Sequence, residues 1–296
     1  MEPTEQRKPL ALNSAHAALV TAAALFAAGY PLARAVDPAA GMDMMVTQGM
    51  LFGAITLELL GRRGGKLRKK HLWPVIINGA GSAVTCIMIM EGAKVISPSL
   101  AAVIVISNAL MVAVMTWFMG RKRFSAPQAA ALAAGFLGVV WISLERGVFA
   151  GEAVGVILLT ISAALIAIMT VVIERPVMEA GGAVITRWSF WIAFITSLAI
   201  VLLTGRLKFH SMEQTGLALF FGTVCAGAPA LMFNGGMGRI GAADAAAFKL
   251  LIPVFAFVYG VAFMGEIPNL GSVAAGLLVI GSLGVYQFSH PAKAGG

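Results

Sequence analysis

The sequence predicts an all-α membrane protein whose ten transmembrane helices form two inverted-topology repeats of five helices each. Three observations lead there. Of 296 residues, 59% are hydrophobic and only 11% are charged, with a mean hydropathy of +0.89. A soluble domain carries roughly 25% charged residues, so a large water-soluble core would leave too few charges to cover its surface. Ten apolar runs reach the roughly 17–25 residues that a membrane-spanning helix needs. They are rich in Ala, Leu and Gly and lack the alternation of barrel strands. Finally, sliding the chain by 145 positions lays residues 91–124 over 236–269 without a gap.

Taken in order, helix 1 (14–33) starts at Ser14 without a cleavage site after a short apolar run, so it reads as an anchored span and not a cleaved signal. Helix 2 (41–60) ends in the basic run "GRRGGKLRKKH" (61–71). Helix 3 (72–90) carries "INGAGSA" (77–83), whose small residues permit close helix approach. Helix 4 (98–119) ends in "GRKRF" (120–124), and helix 5 (127–144) closes the first half. Helix 6 (153–173) opens the second half and helix 7 (183–203) begins with "RWSFW" (187–191). Helix 8 (216–237) carries "GTVCAGA" (222–228), followed by helix 9 (242–264) and the Gly-rich helix 10 (270–288).

In the 145-residue register Lys94 falls on Arg239, Ala101-Ala102 on Ala246-Ala247, and Phe118-Met119-Gly120 on Phe263-Met264-Gly265. The boundary lies near 148–152, which divides the chain into a first repeat at 1–149 and a second at 150–296. Five is odd, so the second half enters the membrane from the opposite face, an arrangement in which two halves enclose a site near the midplane. With both termini cytoplasmic, inside segments hold 15 Lys and Arg and outside segments 5. That bias satisfies the positive-inside rule. The net charge of +8 is therefore read as a topology signal, not as a nucleic-acid site. Cys86 and Cys225 lie within apolar helices without metal-ligand spacing, and no disulfide is implied.

"GAADAAAFKLLIPVFAFVYGVAFMGEIPNLGSVAAGLLVIGSLGVY" (241–286) resembles the second repeat of the drug/metabolite transporter superfamily, EamA branch. The matching features are the small residues after the turn, Pro-Val-Phe in helix 9, Gly-Glu at its end and the Gly-rich helix 10. "GAKVISPSLAAVIVISNALM" (92–111) follows the same template, as does "FAAGYPLARAV" (26–36) with its Arg34. The resemblance implies a bacterial inner-membrane exporter of amino acids or related small metabolites, with helices 1–4 and 6–9 around a central cavity and helices 5 and 10 outside it. Asn108 stands where the family proline would fall in helix 4, Arg121 where a glutamate is expected, and Gln48 where helix 2 often carries an arginine.

Lys249 interrupts a segment that is otherwise apolar for more than twenty residues. A lysine at mid-helix costs about 2.5–3.5 kcal/mol to insert and normally faces the bundle interior. Three placements are open: snorkelling to the headgroups, an ion pair with Glu58, or contact with an anionic substrate group in the cavity. Pro253 favours the last, because it withdraws the N–H that the Lys249 carbonyl would accept. Asn78 and Thr223 are related by the same shift and are site candidates or interhelical glue. Asn108, at the pseudo-equivalent of Pro253, is a cavity candidate, followed by Asn234 and Gln48. Trp191 and Tyr30 are candidates for stacking on an apolar substrate, whereas Trp188 reads as an interface anchor. Pro31 and Pro229 join Pro253 as candidate kink or gating points.

No Asp or Glu falls mid-helix, and His16, His71, His210 and His290 lie at helix ends, in loops or in the tail. An enzyme would need a nucleophile–base set or metal ligands, and none is visible, so neither catalysis, cofactor nor metal is expected. The expectation is secondary transport of a small molecule by alternating access, either uncoupled or coupled to protons through Glu58 or Asp244. The expected partners are the lipid bilayer and a small-molecule substrate, with a homodimer left open. The rival is a non-transporting membrane scaffold or sensor.

Overall fold

Each apolar run forms a helix because, in lipid, a spanning segment must satisfy its own backbone N–H and C=O groups. The computed structural model describes residues 9–36, 41–60, 67–95, 101, 104–144, 153–207, 211–264 and 270–289. Among these, all regular structure is helical. The first half holds α1 (Pro9–Ala35), α2 (Met42–Leu60), α3 (Leu72–Val95, led by a 3-10 turn Lys69–His71), α4 (Asn108–Phe118) and α5 (Ala126–Leu144). The second holds α6 (Ala153–Ala180), α7 (Gly182–Leu203), α8, α9 and α10 (Leu270–Phe288). Helix α8 runs from Met212 to Ile240 with a π turn at Phe221–Gly227, and α9 runs from Ala242 to Met264 with a 3-10 turn at Phe248–Leu251. The expected repeat boundary, residues 61–66 of the basic run and the Gly265-Glu266 turn lie outside the described residues.

Several helices run past their expected ends. α6 continues from 173 to Ala180 through Glu174 and Pro176, where its charged turn meets partners from other helices. α8 starts at Met212 because the Ser211 side chain accepts the Gln214 N–H (3.3 Å), a capping contact that fixes the first turn. Gly181 and Gly241, both at φ +90°, join α6 to α7 and α8 to α9 through one-residue turns, a conformation that side chains other than glycine rarely adopt.

Packing repeats under exchange of the halves. α1 lies against α8 and α9, just as α6 lies against α3 and α4. The contact of α3 with α7 is matched by that of α8 with α2, while the pairs α2–α7, α4–α9 and α5–α10 map onto themselves. Six of the described helices are long and apolar enough to cross a bilayer, with α4 and α10 contributing shorter apolar stretches. The outer surface is correspondingly apolar: Phe118, Leu203, Phe263 and Leu270 are each at least three-quarters exposed. Water would not tolerate so broad a patch, but lipid does. Trp73, Trp117, Trp141 and Trp188 are exposed at helix ends, the level of an aromatic belt.

Candidate functional site

Between the halves lies a cavity of about 240 Å3. Its walls come from α1–α4 and α6–α9, and the peripheral pair α5 and α10 contributes no lining residue. Most of the wall is apolar, with Phe26, Met50, Ile89, Ile166, Phe190 and Phe233 prominent. Of the residues singled out from the sequence, Lys249, Asn108, Asn78, Asn234 and Tyr30 line it. Cys86 and Cys225 line it too, as free thiols.

The Lys249 ammonium sits 4.2 Å from the centroid of Phe233, over the negative face of the ring. An ion pair with Glu58 does not form: Glu58 instead meets Arg187 (3.5 Å) and accepts the Trp191 indole N–H (3.5 Å). The ammonium lies against the Phe233 ring, and both residues line the cavity. The carbonyl released by Pro253 needs one correction. It is not left open, because α9 tightens into a 3-10 turn and the Ile252 N–H bonds to the Lys249 oxygen. The proline thus changes the pitch of one turn without exposing its backbone.

The first half breaks at the equivalent depth by other means. Ser107 donates its hydroxyl to the Ile104 carbonyl (2.7 Å), and the Asn108 amide N–H donates to Val105. Such local side-chain bonds compete with the helical ladder, so the chain breaks at Ser107, immediately before α4 begins at Asn108, where Pro253 stands in α9. The Asn108 side chain is 2% exposed, and its Oδ1 has no hydrogen-bond partner although it lines the cavity. α4 packs against the first turns of α9, so the two breaks face one another.

Asn78 donates to the Ser189 hydroxyl (2.9 Å) and Asn234 to that of Thr186 (2.8 Å), tying α3 and α8 to α7 at the cavity wall. Thr223 does not share the site with Asn78. Its hydroxyl bonds to the Leu219 carbonyl (2.7 Å) within the π-distorted stretch of α8. Trp191 is held outside by Glu58 and packs at 6.4 Å from Phe194. Gln48 is half-buried on α2 but is not among the lining residues. Pro229, buried, follows the π turn directly, and Pro31 follows Tyr30 in α1. The lining also includes Ser82, Thr85, Thr170, Thr186 and Ser189, which the sequence did not single out. Their only advance signal is weak: Thr186 and Ser189 stand three apart, one face of α7.

Charged groups gather away from the cavity and join the halves. Arg121 meets Glu174 (3.1 Å), whose other oxygen accepts the Ala242 N–H (2.8 Å) at the start of α9. Lys122 pairs with Asp244 and bonds the Tyr286 hydroxyl (3.2 Å). Glu179 binds Lys70 and His71. These three clusters and the Glu58–Arg187 pair sit at the ends of α2, α4 and α6 and the starts of α3, α7 and α9, one face of the bundle. At the opposite end Arg206 approaches Asp43 at 3.7 Å. Among the described residues, each of these pairs links one half to the other.

The model of the EamA-like transporter family matches the chain twice, over residues 13–144 and 153–286. This chain belongs to the EamA-like transporter family. It is accordingly a multi-pass membrane protein of a family that transports small molecules, similar to the drug/metabolite transporters that its motifs resemble. No curated protein matches this EamA-like chain. A solved structure titled only "Crystal structure of protein" is similar over 93% of this chain and 97% of its own, with a TM-score of 0.77 and 19% identity. That likeness concerns the EamA-like fold alone.

Proposed function

We propose that this protein carries amino acids or related small metabolites across the bacterial inner membrane by alternating access, in the export direction and without enzymatic activity. The observation that carries the reading is the cavity of about 240 Å3 between two similar halves, with Lys249 in its wall. Two halves that exchange roles around one cavity can open it to either side in turn. The absence of acidic side chains from the described lining favours transport that does not move protons through the cavity. Glu58 and Asp244 are each engaged by a cation. In this orientation both termini and residues 61–71 face the cytoplasm.

The test is flux. Purified protein in liposomes takes up labelled substrate from a small-metabolite panel, and Lys249→Met reduces that uptake by about 10- to 100-fold, as expected for a charge-assisted hydrogen bond of about 1.5–3 kcal/mol. Helical circular dichroism stays unchanged in the variant. A panel that yields no flux, or a Lys249→Met protein with full flux, removes the corresponding part of the reading. Impermeant labelling of residues 61–71 from the periplasm overturns the orientation.

A further inference from the structure

Resting on that transport reading, and narrowing its cargo from amino acids to their related acids, we infer that the cargo is a small monocarboxylate of net charge −1, with an apolar body and one hydrogen-bond donor, as in a 2-hydroxy acid, and not a zwitterion. The unused valences of the cavity carry this. Among the described residues, Lys249 is the one Lys or Arg in the lining, and no Asp or Glu is there. Its ammonium has the Phe233 ring at 4.2 Å and no carboxylate partner among the described residues. The amides of Asn78 and Asn234 each give one N–H to a neighbouring hydroxyl, Ser189 and Thr186.

The other unfilled group is an acceptor. Asn108 is a buried residue of the cavity lining, one of its amide N–H groups is used on Val105, and its buried Oδ1 has no partner. A buried acceptor of this kind is completed by an N–H or O–H. A cation, a lone acceptor and apolar walls match a carboxylate, a hydroxyl and a hydrocarbon body. A zwitterion fits less well, because its ammonium would share a low-dielectric space with Lys249 and find no carboxylate among the described lining residues. Phosphate dianions are disfavoured too, since a single lysine would leave their second charge unpaired among apolar walls. A cavity of about 240 Å3 is large enough for a small molecule.

The experiment uses four ligands on one branched skeleton: 2-hydroxy-4-methylpentanoate, 4-methylpentanoate, leucine and leucinamide. Binding to the purified full chain is read by tryptophan fluorescence and by thermal shift. The expected order places the hydroxy acid first, the plain acid a few-fold weaker, and leucine and leucinamide roughly tenfold or more below the hydroxy acid. Lys249→Gln flattens the series, Lys249→Arg keeps its order, and Asn108→Leu removes the advantage of the hydroxy acid over the plain acid while preserving binding of the latter. Should a variant fail to fold, the order on the unaltered protein decides alone. Leucine binding as tightly as the hydroxy acid, no binding by either acid, or an unchanged order in a folded Lys249→Gln protein overturns the inference. Leucine flux that ignores Lys249 sinks this inference and keeps transport. Binding in the expected order with no flux sinks transport and keeps this inference.

Discussion

Gly222 of α8 and Gly49 of α2 touch backbone to backbone: a Cβ built on Gly222 would run into the Gly49 carbonyl. A methyl there cannot be absorbed by a rotamer change, since both obstacles are main chain. Gly222→Ala is therefore expected to destabilise the protein by about 1–3 kcal/mol, despite the roughly 0.5–1 kcal/mol that alanine gains over glycine in a helix. Gly216→Ala, in the same helix with nothing within 4 Å of its added Cβ, is the control and should be neutral or slightly stabilising. Melting in detergent checks both. At this scale part of the cavity was legible. Lys249, Asn108, Asn78, Asn234 and Tyr30 could be read because a polar side chain in an apolar run needs a reason to be there. Thr170 could not, since its hydroxyl bonds to the Ile166 carbonyl in its own helix and so satisfies itself anywhere in lipid. Gln48, Thr223 and Trp191 misled for the complementary reason: residue type does not reveal which face of a helix meets the cavity.

Among the elements, the paired interruptions of α4 and α9 position the site. Pro253 is buried directly after the 3-10 turn that carries Lys249. Pro253→Ala supplies the missing N–H and lets α9 relax toward a regular α pitch, which rotates Lys249 away from Phe233. The expected result is an unchanged or raised melting temperature together with reduced substrate binding. A fall in both instead would mean that the turn is held by packing and not by the proline. Helix existence was legible from run length and composition, because bilayer thickness sets both. The 3-10 turn, the π turn at Phe221–Gly227 and the extension of α6 to Ala180 were not. Each depends on neighbours in space, such as the Ala242 N–H that Glu174 accepts from the far end of the second half.

Across the whole molecule, the charged clusters join the two halves at one face. Lys122–Asp244 and Arg121–Glu174 each fasten the end of α4 to the second half. A conformation open at this face must break them. Asp244→Asn combined with Arg121→Met is expected to increase exposure of the cavity to that side. Cys86 and Cys225 report it directly, because both are free and line the cavity. Impermeant maleimide applied to that face should label them several-fold faster in the double variant, and substrate should slow the reaction. Equal rates would assign closure to helix packing alone. The two-repeat pattern was legible from the 145-residue register, but the partners of these charges were not, since they lie at separations such as the 122 residues between Lys122 and Asp244.

The way α1 leans on α8 and α9, and α6 on α3 and α4, leaves neither set of five helices with a complete interior of its own. Folding and assembly are then one event, and the covalent bond between residues 145 and 152 is dispensable. Two polypeptides ending and beginning in that interval, produced together in one cell, should find each other in the bilayer and co-purify through a tag on either one, whereas each produced alone should be degraded.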